Sequence, residues 1–355
     1  MTTPQVTIVV TPRERFSYTQ ESLESIFAYT TMPYKLVYVD GNSPSNVQQY
    51  LQQQAAAKGF ELIRTDYYLT PNRSRNLGLA KVDTKYVVFI DNDVVVTPGW
   101  LEALVNCAEE TDATVVGPLM CQHLPLHEII HFAGGEARII RDVKGRNRLR
   151  EKMYRQGQQV AAVRSQLQRT QTELSEFHCT LVRREIFDKL GPFDEAMLNT
   201  KEHVDFCMSV AAAGGTVYFE PDCLATYVPT SPLAWSDLHF YMLRWSDAWE
   251  LASLDRLRQK WNLTEDSSYF KQKYKALGWR RRNTILMPIV RALTLGIRNV
   301  WLEKAIMYGL LAPIEKRLNR YLTDQYAKRH LASPETIQWQ GISSPQEGHE
   351  NSAAA

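Results

Sequence analysis

The stretch VVFIDNDVVVTPGWLEAL, residues 87–104, decides how this chain is read. It opens on an apolar run of β-branched and aromatic residues, the signature of a buried strand, and the run delivers Asp91, Asn92 and Asp93 at its carboxyl end. Carboxylates placed there are costly to leave unpaired. A hard divalent cation with oxygen ligands, Mg²⁺ or Mn²⁺, is their natural partner, and it would in turn hold a diphosphate. Taken alone, D-x-D more often marks a polar loop or helix cap after a strand, so the rest of the chain has to decide.

Working outward, short apolar runs alternate with amphipathic segments: VTIVV (6–10), KLVYVD (35–40), FELIRT (60–65) and KYVVFID (85–91) are separated by YTQESLESIFAYT and SNVQQYLQQQAAAKG. This is the pattern of an α/β fold with a largely parallel sheet, in which ligands sit beyond the carboxyl ends of strands. Thr11, Asp40 and Asp91 end three of the runs. Further strands are expected at 113–120, 178–184 and 215–221, with a helix from Lys201 to Ala213 stopped by Gly214-Gly215. The basic segment RDVKGRNRLREKMYRQGQQ (141–159) reads as a solvated loop or helix, or in a sharper reading as a flap over an anionic ligand.

From about residue 229 the text becomes tryptophan-rich and helical, and in 278–322 basic residues recur among apolar ones. That region either packs on the first domain or lies in a membrane interface. The expected organisation is a domain over 1–228 with halves at about 1–120 and 121–228, a helical region over 229–330 and a disordered tail over 331–355.

Bulk properties narrow the class. Hydrophobic residues make up 44% of the 355 and charged ones 23%, an ordinary globular balance, and a net charge of +2 gives no basic excess for nucleic acid. Five cysteines without a C-x-x-C pair fit reduced thiols and a cytoplasmic location. The N-terminal MTTPQVTIVVTP reads as a first strand, not as a signal peptide, and no run of about 18 apolar residues suggests a spanning helix.

Five blocks, in order, carry a family resemblance: TIVVTPRER (7–15), VYVDGNSP (37–44), PNRSRNLGLAKVDTKYVVFIDND (71–93), TLVRREIFDKLGPFDEAM (180–197) and KEHVDFCMSVAAAGGTVYFEP (201–221). Residues 6–228 resemble a family 2 glycosyltransferase of the GT-A fold, a Rossmann-like mixed sheet flanked by helices, here with an appended C-terminal helical region. The resemblance implies an inverting transfer from a UDP-, GDP- or dTDP-linked sugar to a glycan or lipid-linked acceptor hydroxyl, as in surface glycan or polysaccharide synthesis at the inner face of the membrane. It implies that Asp91 and Asp93 hold a divalent metal, with Asn92 between them on the donor side. Asp40 would contact uracil or ribose, Thr11 and Arg13 would line the base pocket, Arg73 or Arg75 would face the phosphates and Asn76 would support that loop. Peripheral membrane contact through the C-terminal helices and a homo-oligomer fit the same reading.

The chain departs from the family's pattern at the base. Where relatives commonly show Glu-Asp-x-Asp, with the second residue as base, this chain has Glu202-His203-Val204-Asp205. His203, Glu202 and Asp205 are the candidates; a histidine suits proton abstraction near neutrality. Tyr227 stands where many relatives carry a histidine, and His178 where they carry a small residue, which places both on the acceptor side beside His131. These changes motivate an alternative, a non-catalytic sugar-nucleotide-binding scaffold. A remote alternative comes from HEIIH (127–131), which matches the zinc-protease pattern H-E-x-x-H. That pattern needs His127 and His131 one turn apart on a continuous helix, and Pro125 before it and Gly134-Gly135 after it leave little room.

Overall fold

The computed structural model describes residues 4–229 and 233–331. From residue 332 on, the expected tail lies outside the described residues. Twelve strands form, among these residues, β1 (Val6–Thr11), β2 (Tyr34–Gly41), β3 (Glu61–Thr65), β4 (Tyr86–Asp91), β5 (Val94–Val96), β6 (Val115–Gln122), β7 (Ile129–Phe132), β8 (Gly135–Arg141), β9 (Asn147–Met153), β10 (Thr170–Thr172), β11 (Cys179–Arg183) and β12 (Val217–Tyr227). Ten of them build one mixed sheet with the path β10-β12-β6-β11-β4-β1-β2-β3, while β8 and β9 make a separate hairpin.

The half of the sheet formed by β3, β2, β1 and β4 is parallel, because the helices Thr19–Tyr29, Ser45–Lys58 and Pro71–Leu79 return the chain between its strands. Helices covering both faces explain why β1 and β4 are apolar runs buried at every position. The parallel register aligns the strand ends: Thr11 is opposite Asp91, and Asp40 opposite Arg64. The helix Pro71–Leu79 begins with Pro at its first turn and lies close on β1. A Cβ at Gly78 would fall 2.2 Å from Val9 Cγ1, so only glycine fits there.

Beyond β4 the sheet turns mixed, with β11 antiparallel to β4 and β6, and β12 parallel to β6. Phe89, Phe177, Phe187, Phe193 and Phe206 pack edge-on and tilted behind this half, seating the helix Glu202–Ala212 against the sheet. That helix starts after Lys201 in a left-handed conformation, and Glu202 and Asp205 in its first turn complement the positive end of its dipole.

Two expectations are corrected. The basic segment 141–159 is only partly loop: Asn147–Met153 forms β9 opposite β8, with Arg148, Arg150 and Lys152 alternating with Leu149, Glu151 and Met153 in strand periodicity, while the residues on either side are turns and irregular chain. HEIIH is not a helix either. Ile129–Phe132 is a strand pairing with β6, and His127 precedes it at φ 66°, so the zinc-protease arrangement is absent.

The C-terminal region is helical, with Leu238–Arg244, Asp247–Lys260, Ser268–Ala276 and Ala312–Tyr326 as its regular helices. Leu254, Leu257, Leu263 and Phe270 join the same buried cluster as the sheet, so its first part closes the main core. Buried Arg281 binds Glu315 at 2.5 Å, Asp247 at 2.9 Å and the carbonyl of Trp245, tying the last helix to the rest.

Candidate functional site

The strand ends of β1 and β4 bring Thr11, Arg13, Asp91 and Asp93 together. Asp91 is surrounded by cations and a ring nitrogen: His178 Nδ1 at 3.0 Å, Arg13 Nε at 3.5 Å and Arg75 Nη2 at 3.9 Å. Burial would push its carboxyl up, yet His178, Arg13 and Arg75 hold it below the usual aspartate range. Asp93 is the opposite case. It is fully buried, neither carboxylate oxygen has a hydrogen-bond partner, and burial with Asp91 and Glu14 nearby pushes its carboxyl well above the ordinary value. Two buried carboxylates, one ionised and one lacking any partner, fit a divalent cation, which would displace the Asp93 proton.

Asn92 lies between them, but its amide is committed to the neighbouring loop. Its Oδ1 accepts from the Arg13 backbone N–H at 3.0 Å, and its Nδ2 donates to Arg15 O at 2.8 Å and Thr19 Oγ1 at 3.2 Å. It shapes the loop that carries Arg13. Thr11 is buried at the strand end. Asp40 accepts from the Ser43 N–H and hydroxyl, each at 2.9 Å, and pairs with Arg64. A nucleoside meeting Asp40 would therefore also meet Arg64, a residue that sequence reading missed and that the β2–β3 register supplies.

The helix Pro71–Leu79 presents Arg75 inward and Arg73 to Glu195 at 3.9 Å. Arg75 lies over the Phe177 ring at 4.1 Å and 3.6 Å from Glu202 Oε1. Asn76 locks the Phe193–Glu195 turn: its Oδ1 accepts from Phe193 N–H, and its Nδ2 donates to Phe193 O and Glu195 Oε1, all at 2.9 Å.

Arg13 and His178, both beside Asp91, line a cavity of about 410 Å³ together with His131, Glu176, Glu202, His203 and others. The three base candidates differ in what holds them. Asp205 receives Lys260 Nζ and Trp261 Nε1, each at 2.7 Å, and is a structural anchor for the helix Asp247–Lys260. Glu202 lies between Arg75 at 3.6 Å and Arg244 at 3.8 Å; burial opposes its charge, but these arginines hold its carboxyl below the ordinary range. His203 lines the cavity, and burial lowers its pKa in spite of Glu176, leaving a neutral ring near pH 7. Its Nε2 has no hydrogen-bond partner and lies 3.8 Å from Glu176 Oε1.

Glu176 was not singled out in the sequence. Burial would raise its carboxyl, but His131, His203 and His178 around it keep it well below the usual range. The only sequence hint was His178 two residues on, in the turn that leads into β11. Tyr227 stacks on His178 with ring centroids 4.2 Å apart and donates its hydroxyl hydrogen to Glu14 at 2.8 Å. His131 contacts Glu176 at 2.7 Å, while His127 is engaged elsewhere, with Thr226 Oγ1 at 2.6 Å.

Against known proteins, the profile described as glycosyl transferase family 2 matches residues 7–191, just over half of the chain. An uncharacterised protein of Sinorhizobium fredii is 24% identical over 217 residues, covering 60% of this chain and 23% of that one. The pre-mycofactocin glycosyltransferase of Mycobacterium tuberculosis is 27% identical over 167 residues, covering 47% and 32%. The chain thus spans less than a third of the length of these curated relatives. A crystal structure of GalNAc-T7 with UDP, GalNAc and Mn²⁺ aligns with a TM-score of 0.49 at 15% identity, covering 79% of this chain and 57% of that one.

Proposed function

Because the chain belongs to glycosyl transferase family 2, we propose that it moves a sugar from a nucleoside-diphosphate donor to an acceptor hydroxyl with inversion at the anomeric carbon. The observation that carries this reading is the unpartnered, buried Asp93 carboxylate next to Asp91, whose neighbours Arg13 and His178 line a cavity that also carries His203. Asp91 and Asp93 would hold Mn²⁺ or Mg²⁺, which when bound neutralises diphosphate charge. Arg13 and Arg75, both beside Asp91, add positive charge where the leaving diphosphate develops negative charge.

On the opposite side, His203 Nε2 accepts the proton of the acceptor hydroxyl, and Glu176 stabilises the imidazolium that results. The acceptor oxygen forms a bond to the anomeric carbon while the carbon–oxygen bond to the diphosphate breaks, and its electron pair leaves on the phosphate oxygen. A single displacement of this kind inverts configuration.

The acceptor reading comes from the surface. Trp279 and Arg280 line the cavity, and further along the chain Leu295, Trp301 and Tyr308 are 87%, 82% and 61% exposed. Arg291, Arg298, Lys304 and Arg317 are interspersed among these residues in the sequence. Apolar side chains set among basic ones suit the headgroup region of an anionic bilayer. Among the described residues no helix is long and apolar enough to cross a membrane. The reading is therefore peripheral contact with a lipid-linked glycan acceptor entering past Trp279. The five cysteines are buried free thiols, in keeping with the cytoplasmic side.

The test is nucleoside diphosphate release from UDP-, GDP- and dTDP-sugars with lipid-linked glycan acceptors, followed by NMR of the product anomer. Acceptor-dependent release with an inverted product supports the reading. A retained configuration would remove the single displacement, and no release by any donor would favour a non-catalytic binding protein.

A further inference from the structure

Outside the D-x-D pair, two histidines and a glutamate converge on one wall of the cavity. We propose that His131, Glu176 and His178 form a second divalent-ion site, selective for a borderline transition ion of the zinc class. His131 Nε2 lies 2.7 Å and His178 Nε2 3.7 Å from the same oxygen, Glu176 Oε2, which has no hydrogen-bond partner. One ligand atom from each of the three residues lies within 4.8 Å of the others. Metal bonds of about 2.0–2.2 Å to imidazole nitrogen and carboxylate oxygen bridge such a spread with small side-chain adjustments.

The far nitrogens give an independent argument. His131 Nδ1 is 2.9 Å from Gln122 Oε1, and His178 Nδ1 is 3.0 Å from Asp91 Oδ2. Gln122 thus accepts from His131 Nδ1–H and directs that ring's Nε2 lone pair at Glu176, while His178 Nδ1 lies against the Asp91 carboxylate without forming a hydrogen bond to it. Orientation of an imidazole by a carbonyl or carboxylate on its other nitrogen is the usual support of a metal-binding histidine. The His131 lone pair facing the Glu176 carboxylate at 2.7 Å is repulsive unless a cation lies between them. A proton on His131 answers that contact alone; a metal ion answers all three ligands.

Ligand chemistry separates this site from its neighbour. Asp91 and Asp93 offer only oxygens and suit Mg²⁺ or Mn²⁺, whereas two imidazoles and one carboxylate favour Zn²⁺ or Co²⁺. Three protein ligands leave a coordination position facing the cavity, where a water or hydroxyl oxygen would sit. The proposal rests on this geometry and is independent of the transferase reading.

The experiment uses the full chain stripped with EDTA and titrated with Zn²⁺ by calorimetry. Metal content after dialysis is measured by mass spectrometry, and Co²⁺ absorption serves as a ligand-field probe. One tightly held zinc per chain is expected. H131A and E176Q should each weaken it at least about tenfold, and Q122A, which removes only the orienting acceptor, about 10- to 100-fold. D93N should keep the zinc while losing Mg²⁺-dependent nucleotide binding, so the two sites fail separately. Circular dichroism melts identify any variant that does not fold, and the remaining variants then decide. No zinc on the wild type, or equal zinc on wild type, E176Q and Q122A, would overturn the proposal.

Discussion

Replacing Asp93 by asparagine keeps the side-chain shape and removes a charge that the fold leaves without a partner. Burial and the neighbouring Asp91 and Glu14 hold the Asp93 carboxyl well above the ordinary range, so the cation-free folded chain keeps a proton there. The unfolded chain releases that proton near pH 3.9, about the reference aspartate value. Above that value the folded state binds more protons than the unfolded state, and the stability contributed by this group is lost as pH rises through the folded value. In EDTA, D93N should therefore exceed the wild type in stability by a margin that widens from about pH 5 to pH 8.

With Mg²⁺, which imidazole sites disfavour, the ion replaces the proton in the wild type. At about 100-fold excess over Kd, binding contributes about 2.7 kcal/mol. Unfolding entropy of about 2.1 cal/mol/K per residue makes roughly 0.75 kcal/mol/K for 355 residues, so the wild-type Tm should rise by about 3–4 °C. The variant should move by less than about 1 °C. Scanning calorimetry of both proteins in EDTA and in Mg²⁺ across this pH range is the assay. An equal Mg²⁺ shift in both proteins, or no pH-dependent gap in EDTA, would refute the reasoning.

Three further outcomes are expected. H203Q should lower kcat by about 10²–10⁴-fold and abolish the acid limb of the pH–rate profile, which burial places below the ordinary histidine range in the wild type. A limb that survives in H203Q moves the base to Glu202. R281A strips the partner from buried Glu315 and should cost about 3–5 kcal/mol in urea denaturation, a loss that a change below about 1 kcal/mol would contradict. L295E combined with W301E should reduce flotation with anionic vesicles; unchanged flotation removes the membrane reading, and a dimer that dissociates in the double variant would assign the face to pairing between copies.

Within the parallel half, β1 and β4 were legible because they are buried on both faces and so read as unbroken apolar runs, whereas the edge strand β3 is only half-buried. The D-x-D pair followed from its place at a strand end. The β8–β9 hairpin was not legible as a strand pair: Arg148, Arg150 and Lys152 dominate the segment by charge, and the period-two signal of Leu149 and Met153 is short. Partners distant in sequence were hidden altogether. Nothing local to Asp205 announces Lys260 and Trp261, and beyond the adjacent His178 nothing near Glu176 announces His131 from β7 or His203 from the helix Glu202–Ala212. Arg64 became a neighbour of Asp40 only through the register of β2 with β3. The sequence motifs thus mark the ends of elements, while the electrostatic setting of each site residue is a product of sheet order.

The central claim, a metal-assisted nucleotide-sugar site at Asp91 and Asp93, is tested most directly by calorimetric titration of the purified chain with UDP, GDP and dTDP, each with Mn²⁺, with Mg²⁺ and with EDTA. Binding of one nucleotide that requires the metal and disappears in D93N is the predicted result. Binding that is indifferent to EDTA, or no binding of any of the three, would contradict it.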